Sequence, residues 1–281
     1  MIRKVFAGDI TRLVAQLAVR ANINLRPDVY RALTLSLAKE NNQRARGILK
    51  LLLENAAYAR KFNLAICQDT GLPYVFVELG QKSLVCGGDF VKAINKGIAR
   101  GYQRGFLRNS VISHPLVRNS RPGFSPAVIH IDSVPGERIK ITVLPKGFGS
   151  ENKGQVRMFR PTAAIGEIKQ FVVQAVSEAG ADACPPYVIG VGIGGGLDQA
   201  ALLAKKALLY PLGRKNPDRI LARLKKELLK EINLLGLGPM GLGGETTCLG
   251  VNILSLPTHI AGLPVAVNIS CHALRSASGS I

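Results

Sequence analysis

Apolar residues recur every three or four positions along residues 1–62, and this spacing predicts a mainly helical N-terminal part. One face of the first helix collects four apolar residues, Ile10, Leu13, Val14 and Leu17. Polar and helix-breaking residues interrupt the pattern near Asn24–Pro27 and again near Asn41–Asn42. We therefore expect separate amphipathic helices that pack on a core.

Strand-like and helical segments both follow residue 62. Strands are predicted at Tyr74–Leu79, Ala127–Asp132, Arg138–Leu144, Val188–Ile193, Leu249–Leu256 and Pro264–Ile269. Helices are predicted at Asp89–Phe106, Pro161–Ala179, Leu197–Leu209 and Asn216–Leu235. The turn sequence at residues 134–137 predicts a β-hairpin between the second and third strands. Neither repeats nor a linker is visible, so we expect one domain over residues 1–281, of mixed α/β (α+β) class.

The helix predicted at Asn216–Leu235 has the most regular pattern. Apolar residues repeat every four positions, at Ile220, Leu224, Leu228 and Ile232, with lysines between them. The pattern predicts one buried stripe and a basic face in water.

Composition narrows the class of protein. Hydrophobic residues make up 47% of the chain, yet no apolar run approaches the roughly 20 residues needed to cross a bilayer. Asp9 and Arg12 interrupt the apolar stretch at the N-terminus, and no convincing cleavage site follows it. We expect a soluble, cytoplasmic protein without a membrane partner.

The net charge of +19 admits several explanations. A nucleic-acid binder, a subunit docking on an acidic partner and an enzyme that steers anionic substrates would all be basic. A solvated basic surface is the simplest explanation. Only 5% of residues are aromatic and there is no tryptophan, so bases would find few stacking partners. No specific nucleic-acid partner is expected.

Five cysteines, at positions 67, 86, 184, 248 and 271, form an odd and widely spaced set that does not predict a disulfide framework. Cys67, Cys184 and Cys271 are separated by 117 and 87 residues, and each begins a loop-like segment. Thiolates in such loops can bind soft metals and iron–sulfur clusters. Their spacing alone does not distinguish ligands from buried, unreactive cysteines.

Glycine and reactive side chains cluster in five loop-like segments, as functional residues commonly do. These are residues 67–71, 145–153, 184–187, 236–244, and 258–262 with 271–275. The glycine runs could cradle an anion, but neither the Walker pattern nor a complete dinucleotide-binding pattern is present. Tight turns needed for packing are the simpler explanation for them.

Taken together and in this order, these segments resemble the class I fumarate hydratases. The matching motifs are CQDTG, PKG-x-GSEN, CPPY, GLGPMGLGG-x-TT and THIAGLPVAVNISCHALR. The resemblance covers nearly the whole chain. It is closest to the alpha subunit of the two-subunit form and to its sibling, the tartrate dehydratase alpha subunit. It implies the cluster-binding fold of that family.

The resemblance also implies a cofactor and a site. Cys67, Cys184 and Cys271 match the three ligands of a [4Fe–4S] cluster whose fourth iron is open to substrate, whereas Cys86 and Cys248 match no ligand. Asp69 matches a family position that contacts the substrate near the cluster, and we expect it to handle the proton of the hydroxyl group. Gln68, Arg108, Gly149 and His259 match residues that contact a C4 dicarboxylate. On residue chemistry alone, Asp69 could merely cap a helix, Arg108 could be one surface arginine among many, Gly149 could serve only the turn, and His259 could organise its loop.

Two segments depart from the family pattern. Phe148 stands where a third glycine is usual, and residues 119–126 differ from the usual Asn-Thr-Gly-Asp-Asn-Thr-Pro type of segment. Both departures leave open whether fumarate or tartrate is the substrate. Longer relatives continue into a swivelling domain, which implies a separate beta subunit here, an alpha2beta2-type assembly and little hydratase activity of this chain alone. An iron–sulfur redox sensor or a basic nucleic-acid-binding protein is the alternative from another class.

Overall fold

The computed structural model describes residues 2–281 and shows a mixed α/β fold. The helices are α1 (Ala7–Ile23), α2 (Pro27–Lys39), α3 (Gln43–Phe62), α4 (Phe90–Arg104), α5 (Phe148–Glu151), α6 (Ile165–Ala179), α7 (Leu197–Ala207) and α8 (Arg219–Asn233). The strands are β1 (Arg3–Phe6), β2 (Leu72–Gly80), β3 (Ser83–Cys86), β4 (Val128–Val134), β5 (Ile139–Lys146), β6 (Gln155–Phe159), β7 (Tyr187–Gly195), β8 (Cys248–Thr258), β9 (Leu263–Ser270) and β10 (Ala277–Ser280). No described helix is both long and apolar enough to cross a lipid bilayer.

The chain divides into two compact units. Unit 1 comprises residues 2–25, 55–148 and 275–281, and unit 2 comprises residues 26–54 and 149–274. The predicted breaks in the N-terminal region are confirmed, since α1, α2 and α3 are interrupted at residues 24–26 and 40–42.

Unit 1 is built on a four-stranded sheet of order β10-β5-β2-β4 and a two-stranded parallel sheet of β1 and β3. Helices α1 and α4 pack closely against each other. Their apolar faces form a core with the inward residues of β2 and β5, among them Val14, Ile98, Val75 and Ile141. Val75 and Val77 of β2 belong to this core, whereas Phe76 between them is also buried and stacks on His130, with ring centroids 5.2 Å apart.

The predicted hairpin between the strands now numbered β4 and β5 is wrong. The two strands exist where predicted, but β2 lies between them, parallel to β4 and antiparallel to β5. Residues 134–138 instead hydrogen-bond the turn after β2, where Gln81 N–H donates to Val134 O and Lys82 N–H to Gly136 O. A turn sequence fixes a change of direction, whereas strand pairing depends on contacts far away in the sequence.

Unit 2 is built on a four-stranded sheet of order β6-β9-β7-β8. The side chains of Ile189 and Val191 on β7 join the core formed with α6 and α8. Gly190 lies between them and Gly192 follows Val191, and a Cβ on either glycine would lie 2.0–2.1 Å from a carbonyl oxygen of α7. These two glycines therefore let α7 pack directly on the strand, which explains them by packing rather than by nucleotide binding.

Two predicted helices begin later than expected. Helix α6 begins at Ile165, so Pro161 lies before its first turn rather than within it. Helix α8 begins after Asp218, whose carboxylate accepts the N–H groups of residues 220 and 221 as an N-cap. Its apolar stripe is buried at Leu224, Leu228 and Ile232, but Ile220 in the first turn is 61% exposed.

Candidate functional site

The Cys67–Gly71 segment is an irregular loop of unit 1 that leads directly into β2. Cys67 and Asp69 are half-buried and Gln68 is exposed, while Thr70 is buried. The buried Tyr102 of α4 donates its hydroxyl to this loop, 2.9 Å from Thr70 O and 3.2 Å from Gly71 O. Burial raises the pKa of Tyr102 well above its usual range, so the phenol stays a hydrogen-bond donor.

Arg275 fixes the same loop from the C-terminal segment of unit 1. Its guanidinium donates to the carbonyl oxygen of Asp69, and the residue is only 3% exposed. Nε of Arg275 is buried and has no hydrogen-bond partner among the described residues. Since an arginine stays charged in proteins, a buried charge directed at a main-chain carbonyl holds that carbonyl strongly in place.

The carboxylate of Asp69 is oriented by two main-chain donors. Gly71 N–H donates to Oδ1 at 2.9 Å, and Phe148 N–H donates to Oδ2 at 2.8 Å. Phe148 is the first residue of the four-residue helix α5. Two backbone bonds leave about two lone-pair positions of a carboxylate for other donors. Asp69 is thus fixed in orientation and keeps capacity to accept a further hydrogen bond.

Thr70 joins the segment that carries Arg108 to the same loop. The main-chain N–H of Arg108 donates to Thr70 Oγ1 at 3.0 Å, and Thr70 Oγ1 lies 3.4 Å from the carbonyl oxygen of Arg108. The side chain of Arg108 is exposed. Unit 1 therefore brings together three of the predicted residues or their main chains, namely Gln68, Asp69 and Arg108.

Cys184 and Cys271 lie at the same end of the unit 2 sheet. Cys184 precedes β7 and Cys271 follows β9, and these two strands are antiparallel with Val188 opposite Ser270. The main-chain N–H of His272 donates to Cys184 O at 3.3 Å. Two cysteines that are 87 residues apart in the sequence are therefore neighbours in the structure.

Side chains around the two cysteines agree with this placement. Nδ1 of His272 lies 3.1 Å from Cys184 O, and because a carbonyl only accepts, this nitrogen carries the proton. Burial raises the pKa of Tyr187, and the charges of Cys184 and Cys271 act in the same direction.

The glycine run at residues 236–244 supports the Cys184 loop. Met240 N–H donates to Pro185 O at 2.8 Å. Gly241 has a φ of +74°, and a Cβ on it would lie 2.3 Å from the Cβ of Ala181. Cys184 itself has a φ of +56°, which is uncommon outside glycine. This loop is held in a strained backbone conformation by main-chain contacts.

Gly149 lies in α5 and is exposed, and its surroundings are open, since an added Cβ would have only Asp182 O within 4 Å, at 3.8 Å. The next turn is anchored in unit 2 by Glu151, which forms a salt bridge with Lys205 and accepts Asn268 Nδ2–H at 3.1 Å. Burial lowers the pKa of Lys205, opposed by the Glu151 carboxylate. This partly buried ion pair fixes the end of the 145–153 segment in unit 2.

His259 lies at the tip of the turn between β8 and β9 and is exposed. Its Nδ1 accepts Ala261 N–H at 3.2 Å, which leaves Nε2 as the protonated nitrogen of a neutral ring. The eight residues of β9 separate this turn from Cys271, a span of about 27 Å. The structure does not bring His259 to Cys184 and Cys271 of the same chain.

Three of the cysteines offer thiolate donors for a cofactor. Within residues 2–281 no group of three or more His, Cys, Asp and Glu side chains forms a site for a single metal ion. Thiolates are the usual ligands of iron–sulfur clusters, in which each thiolate binds a different iron. All five cysteines are thiols, and Cys67, Cys184 and Cys271 are partly accessible at loops. Cys248 is buried, which raises its pKa to about 12. The donor set fits an iron–sulfur cluster.

Several residues of the site were not predicted from the sequence. Tyr102 and Arg275 support the first loop, and His272 supports the second. Thr70 and His272 each lie within three residues of a predicted ligand, which is a usable signal. Tyr102 gives none, because it lies 32 residues from the carbonyl that it holds.

Comparison with known proteins gives a consistent result. The profile described as fumarate hydratase (fumerase) matches residues 11–280. The chain is 39% identical over 276 residues to the putative L(+)-tartrate dehydratase subunit alpha of Methanocaldococcus jannaschii, covering 95% of this chain and 96% of that protein. It is 27% identical over 271 residues to the L(+)-tartrate dehydratase subunit alpha of Escherichia coli K12, covering 95% and 89%. The chain belongs to the fumarate hydratase (fumerase) family.

Proposed function

We propose that this chain is the cluster-bearing alpha subunit of an iron–sulfur hydro-lyase, and that Cys67, Cys184 and Cys271 hold a [4Fe–4S] cluster. The observation that carries the proposal is the meeting of Cys184 and Cys271 at one end of the unit 2 sheet. Cys67 adds a third partly accessible thiol on a loop that buried side chains hold in place.

The substrate would be a C4 dicarboxylate that gains or loses water. When bound, the cluster would supply an open iron that acts as a Lewis acid toward a substrate oxygen. The exposed guanidinium of Arg108 suits a bidentate pair with a carboxylate, and Gln68 is exposed beside Cys67. Gly149 would offer its main-chain N–H in an open part of its loop.

Asp69 is the proposed group for the hydroxyl proton. Its carboxylate is held at both oxygens by main-chain N–H groups, so it does not need to reorganise when substrate binds. It would accept the proton of the substrate hydroxyl, or return it, through a remaining lone pair. The proton acceptor for the carbon acid would come from a beta subunit.

His259 is proposed to contact substrate only in an assembly of several chains. Because about 27 Å of strand separates it from Cys271, it would contact substrate at the cysteines of a second copy of the chain. An alpha2beta2-type assembly supplies this copy. The relatives named as alpha subunits support the beta partner.

Fumarate and L(+)-tartrate are the two candidate substrates. Fumarate hydration to malate is the predicted reaction, and the names of the relatives favour tartrate. Loss of water from tartrate gives an enol that is a tautomer of oxaloacetate, so the two activities have different products. We further propose that residues 1–281 act as one hydro-lyase domain, in the cytoplasm and without a specific nucleic-acid partner.

The test is an assay of the anaerobically purified pair with fumarate, L-malate and L(+)-tartrate as separate substrates. We expect either the interconversion of fumarate and L-malate or the dehydration of L(+)-tartrate to be clearly the faster reaction. We expect this chain alone to be nearly inactive. Robust turnover by the chain alone would contradict the need for a beta subunit. No turnover of any of the three by a cluster-loaded pair would contradict the hydro-lyase.

A further inference from the structure

Unit 1 carries a group of basic residues that, apart from Arg108, the proposed chemistry does not use. Between Phe90 and Ile131 the sequence contains seven lysines and arginines and no aspartate or glutamate. Four of them, Lys92, Lys96, Arg100 and Arg104, repeat every four residues and lie exposed along one face of α4. None of the seven forms a salt bridge within the described chain. Like charges four residues apart oppose helix formation, so the fold itself gains nothing from this stripe.

Phe106, two residues after the end of α4, lowers the stability of the fold in two ways. It has a φ of +51°, and its side chain is 97% exposed. Leu107 N–H donates to Tyr102 O at 2.9 Å and Phe106 N–H donates to Gln103 O at 3.3 Å, which is the Schellman arrangement. Phe106 occupies the left-handed position where glycine is usual. A bulky apolar residue that is both strained and fully in water indicates a role outside the fold.

The loop after Phe106 presents a second apolar side chain beside further basic residues. Main-chain bonds between Val111 and Gly123, at 3.0 and 2.7 Å, close the base of this loop. His114 Nδ1 accepts the N–H groups of Leu116 and Val117 at 3.2 and 3.0 Å, so the tip is a built turn. Leu116 at this tip is 87% exposed. Arg118 and Arg121 follow it in the sequence and are exposed.

We propose that this surface, formed by the basic face of α4, Phe106 and the loop at residues 109–126, is the docking surface for the companion beta subunit. The inference rests on the proposed function. The partner surface would carry carboxylates opposite the α4 stripe and an apolar pocket for Phe106. Aromatic and arginine residues dominate the binding energy of protein interfaces, and both are present here.

The position of Phe106 favours this partner over others. Phe106 is two residues from Arg108, whose main chain is fastened to Thr70 of the Cys67–Gly71 loop. A subunit that seats on Phe106 would therefore stand beside the proposed carboxylate-binding arginine, where a completing subunit is needed. RNA would require several stacking aromatics, and Phe106, His114 and Phe124 are the only aromatic rings from 103 to 129.

The decisive variant is Phe106→Gly. Glycine removes the side chain and relieves the left-handed strain, so the chain alone should melt at a higher temperature while its affinity for the companion falls. We expect binding to weaken about 30-fold or more, as for a buried aromatic anchor. The control is Leu234→Ala, which removes another exposed apolar side chain, 75% exposed after α8, and should leave binding unchanged.

A second pair of variants tests the contribution of charge to binding by removing four positive charges from either of two helices. Changing Lys92, Lys96, Arg100 and Arg104 to glutamine should weaken binding about tenfold at low salt and less at high salt. The control changes Arg219, Arg223, Lys226 and Lys230 to glutamine on α8, which removes the same charge from exposed positions and should have little effect. Equal losses in both variants would show only a general charge effect and would overturn the inference.

Binding is measured by calorimetry under anaerobic conditions with the full chain and purified companion subunit, and separately with poly(U) RNA and phosphatidylserine vesicles. If the glutamine variant of α4 loses affinity for RNA or vesicles but not for the companion subunit, the proposal is overturned. Iron content and turnover of the unaltered pair are measured on the same samples. An active, iron-loaded pair unaffected by Phe106→Gly refutes this docking surface alone, whereas an unaltered pair without iron or turnover refutes the proposed function.

Discussion

The loops that carry the proposed cluster ligands are held in different ways in the two units. In unit 1 the Cys67–Gly71 loop is held by side chains, because Tyr102 and Arg275 donate hydrogen bonds to three successive carbonyls. In unit 2 the loops at Cys184 and Cys271 are held mainly by main-chain bonds from Met240 and His272. The first loop should therefore be sensitive to single substitutions remote in sequence, and the second should be more tolerant of side-chain loss.

Arg275→Met should give the largest effect. It removes the donor to Asp69 O from a buried position, so we expect a loss of about 2–3 kcal/mol of unfolding free energy. Turnover should fall about 100-fold because the loop that carries Asp69 shifts. The control is Arg26→Met. Arg26 is a buried arginine that donates to the carbonyls of Leu208 and Tyr210 in unit 2. It should lower the melting temperature without an equal loss of turnover in the folded fraction. Equal loss in both variants would contradict a role of Arg275 in positioning.

Tyr102→Phe and Tyr187→Phe compare the two units directly. Each removes one hydroxyl that donates to main-chain carbonyls, so each should cost about 1 kcal/mol of stability. Only Tyr102→Phe should lower kcat, by about tenfold, because only its hydroxyl holds a loop with proposed substrate contacts. Steady-state kinetics at matched iron content is the measurement. A greater loss of kcat in Tyr187→Phe would reverse the comparison.

His272→Ala should have a smaller effect than either Arg275→Met or Tyr102→Phe. It removes Nδ1–H from Cys184 O, but the main-chain N–H of residue 272 still donates to the same carbonyl. We expect about 1 kcal/mol of destabilisation and nearly full iron content. Chemical denaturation and iron analysis would check this. Loss of most of the iron would mean that the loop depends on side chains after all.

Alkylation of the cluster-free protein compares the accessibility of its cysteine thiols. The reaction should have no effect on the fold. Burial raises the pKa of Cys248 to about 12, so its thiol stays protonated and unreactive at pH 8. Cys67, Cys184 and Cys271 are partly accessible and should react with iodoacetamide. Mass spectrometry should find Cys248 modified only after unfolding in urea. Rapid modification of Cys248 in the folded chain would show that its thiol is accessible and would contradict this prediction.

Local pattern was enough to predict most helices and strands. The helical spacing before residue 62 and the apolar runs of β7, β8 and β9 each report on their own segment. The hairpin between β4 and β5 failed because β2, more than 40 residues earlier in the chain, supplies the pairing partner. The exposure of Ile220 shows likewise that a regular stripe does not say which turns of a helix reach the core.

The candidate site was predictable only where motif residues would carry the proposed chemistry themselves. The cysteine segments were identifiable from their motifs, and Cys184 and Cys271 lie at the same end of the unit 2 sheet. The hold of Arg275 on Asp69 spans 206 residues and uses a main-chain carbonyl as acceptor, which leaves no pattern in the sequence. The position of His259 follows from the length and direction of β9, and these were known only from the structure.

The most direct test of the central claim is iron and sulfide analysis, with an EPR spectrum, of the anaerobically purified chain and its three single variants Cys67→Ser, Cys184→Ser and Cys271→Ser. The account predicts about four irons per unaltered chain and loss of the cluster signal in every variant, with Cys86→Ser as the unaffected control. Zinc in place of iron, or a full cluster retained when any one of the three cysteines is replaced, would contradict it.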